Sequence, residues 1–281
     1  MILVTGASEN VGKEVMRTLG SRQIAFRVGA RKPAKAPACA GVDTVRFDFR
    51  DVRTYGPAVD GCTAVFLLCP SAIFNTRQTL NHFLDVARTS GVSHVVFVSV
   101  AGAATNPLMP HHAVEQHLRA GPAGWTVLRP GFFTQHVGDA YRNDIRHDNR
   151  IFVPAGAGRI AFIDVRDLAE VAVSALTNPL AHCGQTYTLT GSQALSFKQV
   201  AHILSDELAY TIHHQPASIP VYMAHLVRKG MPLRQILVQT MLHVGLRFGQ
   251  AQAVTETLAT LAGHRPRTMH DYVHDHRGVW R

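Results

Sequence analysis

The chain has 281 residues, 46% of them hydrophobic, with 28 Lys and Arg against 19 Asp and Glu for a net charge of +9. That length and apolar content suffice for one large α/β domain and a smaller lobe, and no apolar run approaches the ~20 residues of a membrane span. The cations are spread along the chain without interleaved aromatics, so they read as a solvated basic surface rather than a nucleic-acid face.

No basic n-region precedes the first apolar run, so no secretory leader is expected. Four cysteines, Cys39, Cys62, Cys69 and Cys183, lack Cys-x-x-Cys spacing. This argues against a disulfide framework or zinc site and for a reducing cytoplasm. The 17 histidines include His111-His112, His213-His214 and His274-x-His276; none of these pairs has His-x-x-x-His spacing, so they read as surface histidines and no metal is expected.

Ile2, Leu3 and Val4 form an uncharged run that predicts a central strand buried on both faces. Gly6 and Gly12 bracket a turn, and from Val11 the spacing becomes helical, with Val11, Val15 and Leu19 on one face. Strand, glycine turn and helix cradle phosphate in a dinucleotide-binding fold. The first glycine permits the tight turn, the last lets helix and strand pack closely, and the helix N-terminus offers unpaired N–H groups. Gly6, Ser8, Asn10, Val11 and Gly12 are therefore candidate cofactor contacts.

A second strand is predicted over 24–29, followed by Arg31-Lys32-Pro33. An acid at this position serves the ribose hydroxyls of NAD, whereas cations suit a 2′-phosphate. Arg31 and Lys32 thus predict NADP(H), the alternative being a solvated basic turn leading into the Pro/Ala-rich segment 32–40. A third strand is predicted over 44–47. After it, Asp48 either accepts a hydrogen bond from an adenine amino group, with Phe49 packed nearby, or caps the turn before Asp51. A fourth strand over 64–68 exits at Cys69-Pro70-Ser71, where proline stops the ladder and exposes backbone. A helix over 76–90, a fifth strand over 94–99 ending at Ser99, and a sixth over 125–128 follow. Strand C-termini line the ligand crevice in such sheets, which adds Cys69, Pro70 and Ser99 to the cofactor candidates.

In order and spacing, several features resemble the NmrA-like atypical short-chain dehydrogenases/reductases over nearly the whole chain. They are the glycine turn, Arg31, His111 with Glu115, Gly124-Trp-Thr-Val-Leu-Arg-Pro-Gly-Phe-Phe133 and Phe162-Ile-Asp-Val-Arg-Asp-Leu-Ala169. The family's turn is Thr-Gly-x-x-Gly-x-x-Gly, and here the middle glycine is Glu9, whose carboxylate would repel an anion unless it turns outward. Standard enzymes carry a Tyr-x-x-x-Lys pair with a glutamate four residues beyond the lysine. Counting back from Glu115 puts His111 at the lysine position and Pro107 at the tyrosine position, so the usual acid-base pair is absent. His111 and Glu115 share a helix face at i,i+4, and His111 or His112 is a candidate for ribose binding or proton donation; the alternative is a helix-surface pair without a task.

The resemblance implies a Rossmann-like doubly wound parallel sheet with a smaller, mostly helical C-terminal lobe. Residues 1–133 are expected to form the NADP-binding domain, with strands around 151–190 returning to it, and 134–281 the substrate lobe. Phe132 and Phe133 are expected at the nicotinamide crevice, walling a flat apolar substrate, with Tyr141 as a speculative proton donor. Asp164 and Asp167 read as a helix cap and first turn, and Ser196 with Gln199 as a capping box. The family includes NADPH-dependent quinone and triphenylmethane reductases as well as redox-sensing regulators. The expectation is therefore hydride transfer to a small planar apolar acceptor, or else NADP(H) sensing without turnover. Neither nucleic acid nor membrane is expected as a partner, and a homodimer is possible.

Overall fold

The uncharged run Ile2–Val4 forms β1, buried along its length and paired in parallel on both sides, as a strand without a polar face requires. The computed structural model describes residues 1–35, 42–70, 72–73 and 75–281; Cys39, Ser71 and most of the Pro/Ala-rich segment lie outside them. After β1 come α1 (Asn10–Ser21), β2 (Phe26–Ala30), β3 (Asp43–Arg46), α2 (Tyr55–Val59), β4 (Ala64–Leu68), α3 (His82–Thr89), β5 (His94–Val98), α4 (Pro110–Ala120) and β6 (Gly124–Pro130). A π turn at Arg77–Asn81 leads into α3. The chain continues through β7 (Phe132–Phe133), α5 (Gln135–Asp139), α6 (Arg142–Asp148), β8 (Arg150–Val153), β9 (Arg159–Ile163), α7 (Val165–Thr177), α8 (Pro179–His182) and β10 (Gln185–Leu189). It ends with β11 (Ala194–Ser196), α9 (Phe197–Leu208), β12 (His213–Pro216), α10 (Ile219–Arg228), α11 (Leu233–Leu246), α12 (Thr257–Ala262) and α13 (Met269–Asp275).

These elements form two units, residues 1–130 with 165–189, and residues 131–164 with 190–281. In the first, seven parallel strands lie in the order β10-β6-β5-β4-β1-β2-β3. This is the Rossmann-like doubly wound sheet. Chain order steps outward from β1 in both directions, so the topological switch point lies between β1 and β4, where such sheets open a ligand crevice. Alternate side chains of the strands, Leu3, Val65, Leu67, Val95, Phe97 and Val127, meet α2, α3 and α4 in one core layer. On the other side α7 packs against α1 and against β4, β5 and β6.

The second unit holds a three-stranded sheet, β11-β9-β7, and a β12-β8 pair. Its core gathers Tyr141, Phe152, Phe162, Phe197, Tyr222 and Trp280. The capping box at Ser196 and Gln199 opens α9. Of the stretch 151–190, α7, α8 and β10 belong to the first unit, while β8 and β9 belong to the second, and the division after β6 falls at residue 130. The physical reason lies in pairing: β9 bonds to β7 and β11, and β8 to β12, so neither joins the seven-stranded sheet.

Gly6 adopts φ +70°, and a Cβ on Gly12 would lie 2.1 Å from the Gly6 carbonyl oxygen. Helix α1 therefore rests on backbone at this point. Gly12→Ala is expected to destabilise the protein by about 1–3 kcal/mol through overpacking, seen as a fall of several degrees in thermal denaturation. Gly20→Ala, which meets nothing within 4 Å in the same helix, should leave the melting temperature unchanged or raise it slightly.

Candidate functional site

At the C-terminal ends of β1, β2, β3 and β4, the first unit opens a cleft of about 700 Å³. Its walls are the turn Gly6 to Glu9, the β2 exit Gly29 to Lys32, the β3 exit Phe47 to Arg50, and Leu68, Pro70, Ala72 and Ile73 after β4. Ser8 is exposed on the cleft, Asn10 begins α1, and Val11 and Gly12 are buried behind the turn. Glu9 occupies the N-cap of α1 at φ −84°, ψ 155°, an extended conformation open to any residue. Its side chain makes no cap hydrogen bond to the start of α1, whose partial positive charge suits an anion. The Glu9 side chain is exposed and borders the cleft.

Arg31 and Lys32 both line the cleft, exposed, and neither forms an ion pair among the described residues. A third cation, Arg50, lines it too, its guanidinium donating to the Ala72 carbonyl at 3.4 Å. Sequence reasoning missed Arg50. The signal was its position two residues past Asp48, on the exit of the strand that pairs with β2. Asp48 caps the local turn, its Oδ1 accepting the Arg50 N–H at 3.0 Å, and it also borders the cleft. The two readings of Asp48 are thus compatible, because a carboxylate has a second oxygen. Phe49 is 6% exposed and packs edge-on against Phe47 and Phe83 at 4.7 and 5.6 Å. It serves mainly as core. Pro70 lines the cleft, whereas Cys69 is half-buried beside it with its thiol pushed up to about 12 by burial.

Ser99 and Glu115 form a buried cluster with two arginines. The Ser99 hydroxyl donates to Glu115 Oε1 at 2.6 Å, Arg129 Nε donates to the same oxygen at 2.9 Å, and Arg129 and Arg119 both pair with Oε2. Burial alone would raise the carboxyl pKa, but the hydrogen bonds from Arg129 and Ser99, with the charges of both arginines, hold it below the usual glutamate range. The i,i+4 pairing expected between His111 and Glu115 does not form, because Glu115 is saturated by these stronger donors. Instead His111 stacks on Phe97, ring centroids 6.0 Å apart, and burial lowers its pKa, which favours the neutral ring. His112 Nδ1 donates to the Ala103 carbonyl at 2.7 Å, which orients the ring and sets its tautomer.

In the second unit, Phe132 meets His136 edge-on at 4.6 Å and Phe162 at 5.7 Å, and Phe133 lies 5.8 Å from His136. His136 is held neutral, its pKa lowered to about 4 by burial and by the neighbouring His243, and its Nδ1 has no hydrogen-bond partner among the described residues. Tyr141 is not placed as a proton donor. It is 3% exposed in the core, its hydroxyl bonded to His243 Nε2 at 2.6 Å, and burial raises its pKa above the ordinary phenol value. The histidine pattern also held a spacing that sequence reasoning overlooked, His270-x-x-x-His274. Both rings lie on α13 and share Glu207, at 2.8 and 3.1 Å.

The first unit is thus a dinucleotide-binding fold, with an anion-ready helix terminus and three cations on its cleft. Residues 6–179 match a family model described as NAD(P)H-binding. The chain is 32% identical to an NAD(P)H azoreductase of Xenophilus azovorans, over 100% of this chain and 99% of that one. Among solved structures it is similar to the Citrobacter sp. triphenylmethane reductase complexed with NADP(H), at a TM-score of 0.86 and 25% identity over 98% and 99% of the two chains. It is also similar to the NADPH-dependent quinone oxidoreductase of Escherichia coli complexed with NADPH, at a TM-score of 0.85 and 25% identity over 97% and 98%. The chain belongs to the NAD(P)H-binding family that the matching family model describes.

Glu115→Gln should cost about 3 kcal/mol at neutral pH, because it leaves the largely buried Arg129 without its counter-charge. The folded carboxyl pKa is depressed, so its contribution is complete above the ordinary glutamate value and is lost as pH falls through the folded one. Urea denaturation at neutral pH and in acid should therefore show the gap between wild type and variant narrowing on acidification.

Proposed function

We propose that this protein is an NADPH-dependent oxidoreductase that transfers hydride directly to a small, planar, apolar acceptor such as a quinone, a conjugated carbonyl or an iminium-type compound. The observation that carries the cofactor preference is the cluster of Arg31, Lys32 and Arg50 on one cleft, none with a carboxylate partner among the described residues. Guanidinium groups match a phosphomonoester bidentately, and NADH lacks that group. The reductase reading is supported by similarity to the azoreductase, the quinone oxidoreductase and the triphenylmethane reductase.

When bound, NADPH supplies the hydride. The residues of the chain bind and orient. The amides at the start of α1 take the pyrophosphate, Arg31, Lys32 and Arg50 take the 2′-phosphate, and Asp48 offers its second oxygen to the adenine amino group. Glu9 opposes the pyrophosphate with a repulsion of order 1 kcal/mol, which each of the three cations offsets by a similar amount. Phe132 and Phe133 present apolar ring area that suits a flat acceptor. Ser99 is committed to Glu115 and supplies no acid. A quinone or cation takes hydride without strong general-acid help: the hydroquinone anion formed from a quinone takes its proton from solvent, and an iminium-type cation needs none.

Glu9 favours a second reading, an NADP(H)-sensing protein without turnover, of the NmrA type. Titration with NADPH and NADH, followed by nicotinamide fluorescence and by turnover with quinones and triphenylmethane dyes, separates the two. The reductase reading expects NADPH to bind at least about tenfold tighter than NADH and to be oxidised by one of these acceptors; binding without oxidation favours the sensor. Arg31→Ala should weaken NADPH at least about tenfold with little change for NADH, and Glu9→Gly should tighten both cofactors by about three- to tenfold. Absence of binding by either cofactor sinks both readings.

A further inference from the structure

Glu207 stands in the last turn of α9, where a carboxylate meets the negative end of the helix macrodipole and a cation is favoured beside it. Its side chain is 11% exposed, and among the described residues neither a lysine nor an arginine pairs with it. Its partners are two imidazoles of α13, His270 with Nε2 at 2.8 Å from Oε1 and His274 with Nδ1 at 3.1 Å from Oε2. The fold fixes both helices at this place. A capping box opens α13, Thr268 Oγ1 accepting the Asp271 N–H while the Asp271 carboxylate accepts the Thr268 N–H. Met269, Tyr272 and Val273 bury the helix in the second core, packed along α9. His270 and His274, one turn apart, lie side by side with their rings 12° from parallel.

Two imidazoles at i,i+4 on a helix, with one carboxylate, are the donor set of a borderline divalent cation such as zinc. Neighbouring ligands of a tetrahedral ion bound at about 2.0–2.1 Å stand about 3.3 Å apart. Each imidazole nitrogen already lies near that separation from a Glu207 oxygen. The two rings meet opposite oxygens of the carboxylate, so they turn toward each other to take one ion. Their exposures of 61% and 53% leave them room to do so. A neutral imidazole that takes an ion carries its proton on the other ring nitrogen. Asp271 is committed to the capping box and is not a ligand. Three protein ligands leave the fourth position to water.

We propose that His270, His274 and Glu207 bind a divalent transition-metal ion of the zinc type, which clips α13 to α9. All three ligands belong to the second unit, and the assignment is independent of the reductase reading.

The test is isothermal titration of the full chain, without an affinity tag, with Zn²⁺ and separately with Mg²⁺, together with thermal denaturation in the presence and absence of Zn²⁺. Wild type should bind zinc at least about a hundredfold tighter than magnesium, and bound zinc should raise the denaturation temperature by several degrees. His274→Ala and Glu207→Gln should each weaken zinc by at least about tenfold and remove that rise. His274→Ala, at an exposed position, should keep the metal-free denaturation profile, because an exposed ion pair contributes little. His147→Ala, exposed on α6, should leave zinc affinity unchanged. Zinc binding no tighter than magnesium binding overturns the proposal. So does zinc affinity that His274→Ala leaves unchanged, or bound zinc that does not raise the denaturation temperature.

Discussion

The contact on which the cofactor half depends is the approach of α1 to the turn after β1, where the Cα of Gly12 faces the Gly6 carbonyl with no room for a side chain. This approach brings the first turn of α1 to the cleft, and with it the amides and partial positive charge that suit an anion. Glu9 is accommodated because its backbone is extended. A non-glycine residue costs nothing in conformation there, and its effect is confined to charge.

The second organising interaction is the buried Glu115 carboxylate. One residue on α4 accepts from Ser99 after β5 and from Arg129 on β6, so it ties the helix to two strand ends at once. The cluster takes Ser99 out of acid-base chemistry and leaves His111 against an aromatic ring, neutral and stacked. What this part of the molecule offers is position rather than a strong acid, which fits acceptors that are electrophilic without protonation.

The two units spend apolar surface differently. The first buries its strands between helix layers, whereas the second leaves the outer face of α11 uncovered although the sequence there is as apolar as its inner face. Neutral imidazoles in the second core, His136 and His243, sit among aromatic rings, where burial keeps protons off them.

The sequence by itself determined the alternating parallel fold, because an uncharged three-residue strand, a glycine turn and a 3.6-residue period admit few other arrangements. It also located Arg31 and Lys32, since residues just past a strand end need no tertiary information to be placed there. Only the tertiary structure decided which partners the polar groups found. Arg50 joins Arg31 because β3 lies beside β2. Glu115 turns from His111 to Arg129 because β6 brings a guanidinium closer and with better geometry than an imidazole on the same helix. Tyr141 is withdrawn into a core by a histidine 102 residues away in sequence. Helical and strand periods are local and can be read from spacing, whereas hydrogen-bond partners and the exposure of apolar side chains on the outer face of α11 depend on which segments the fold brings together.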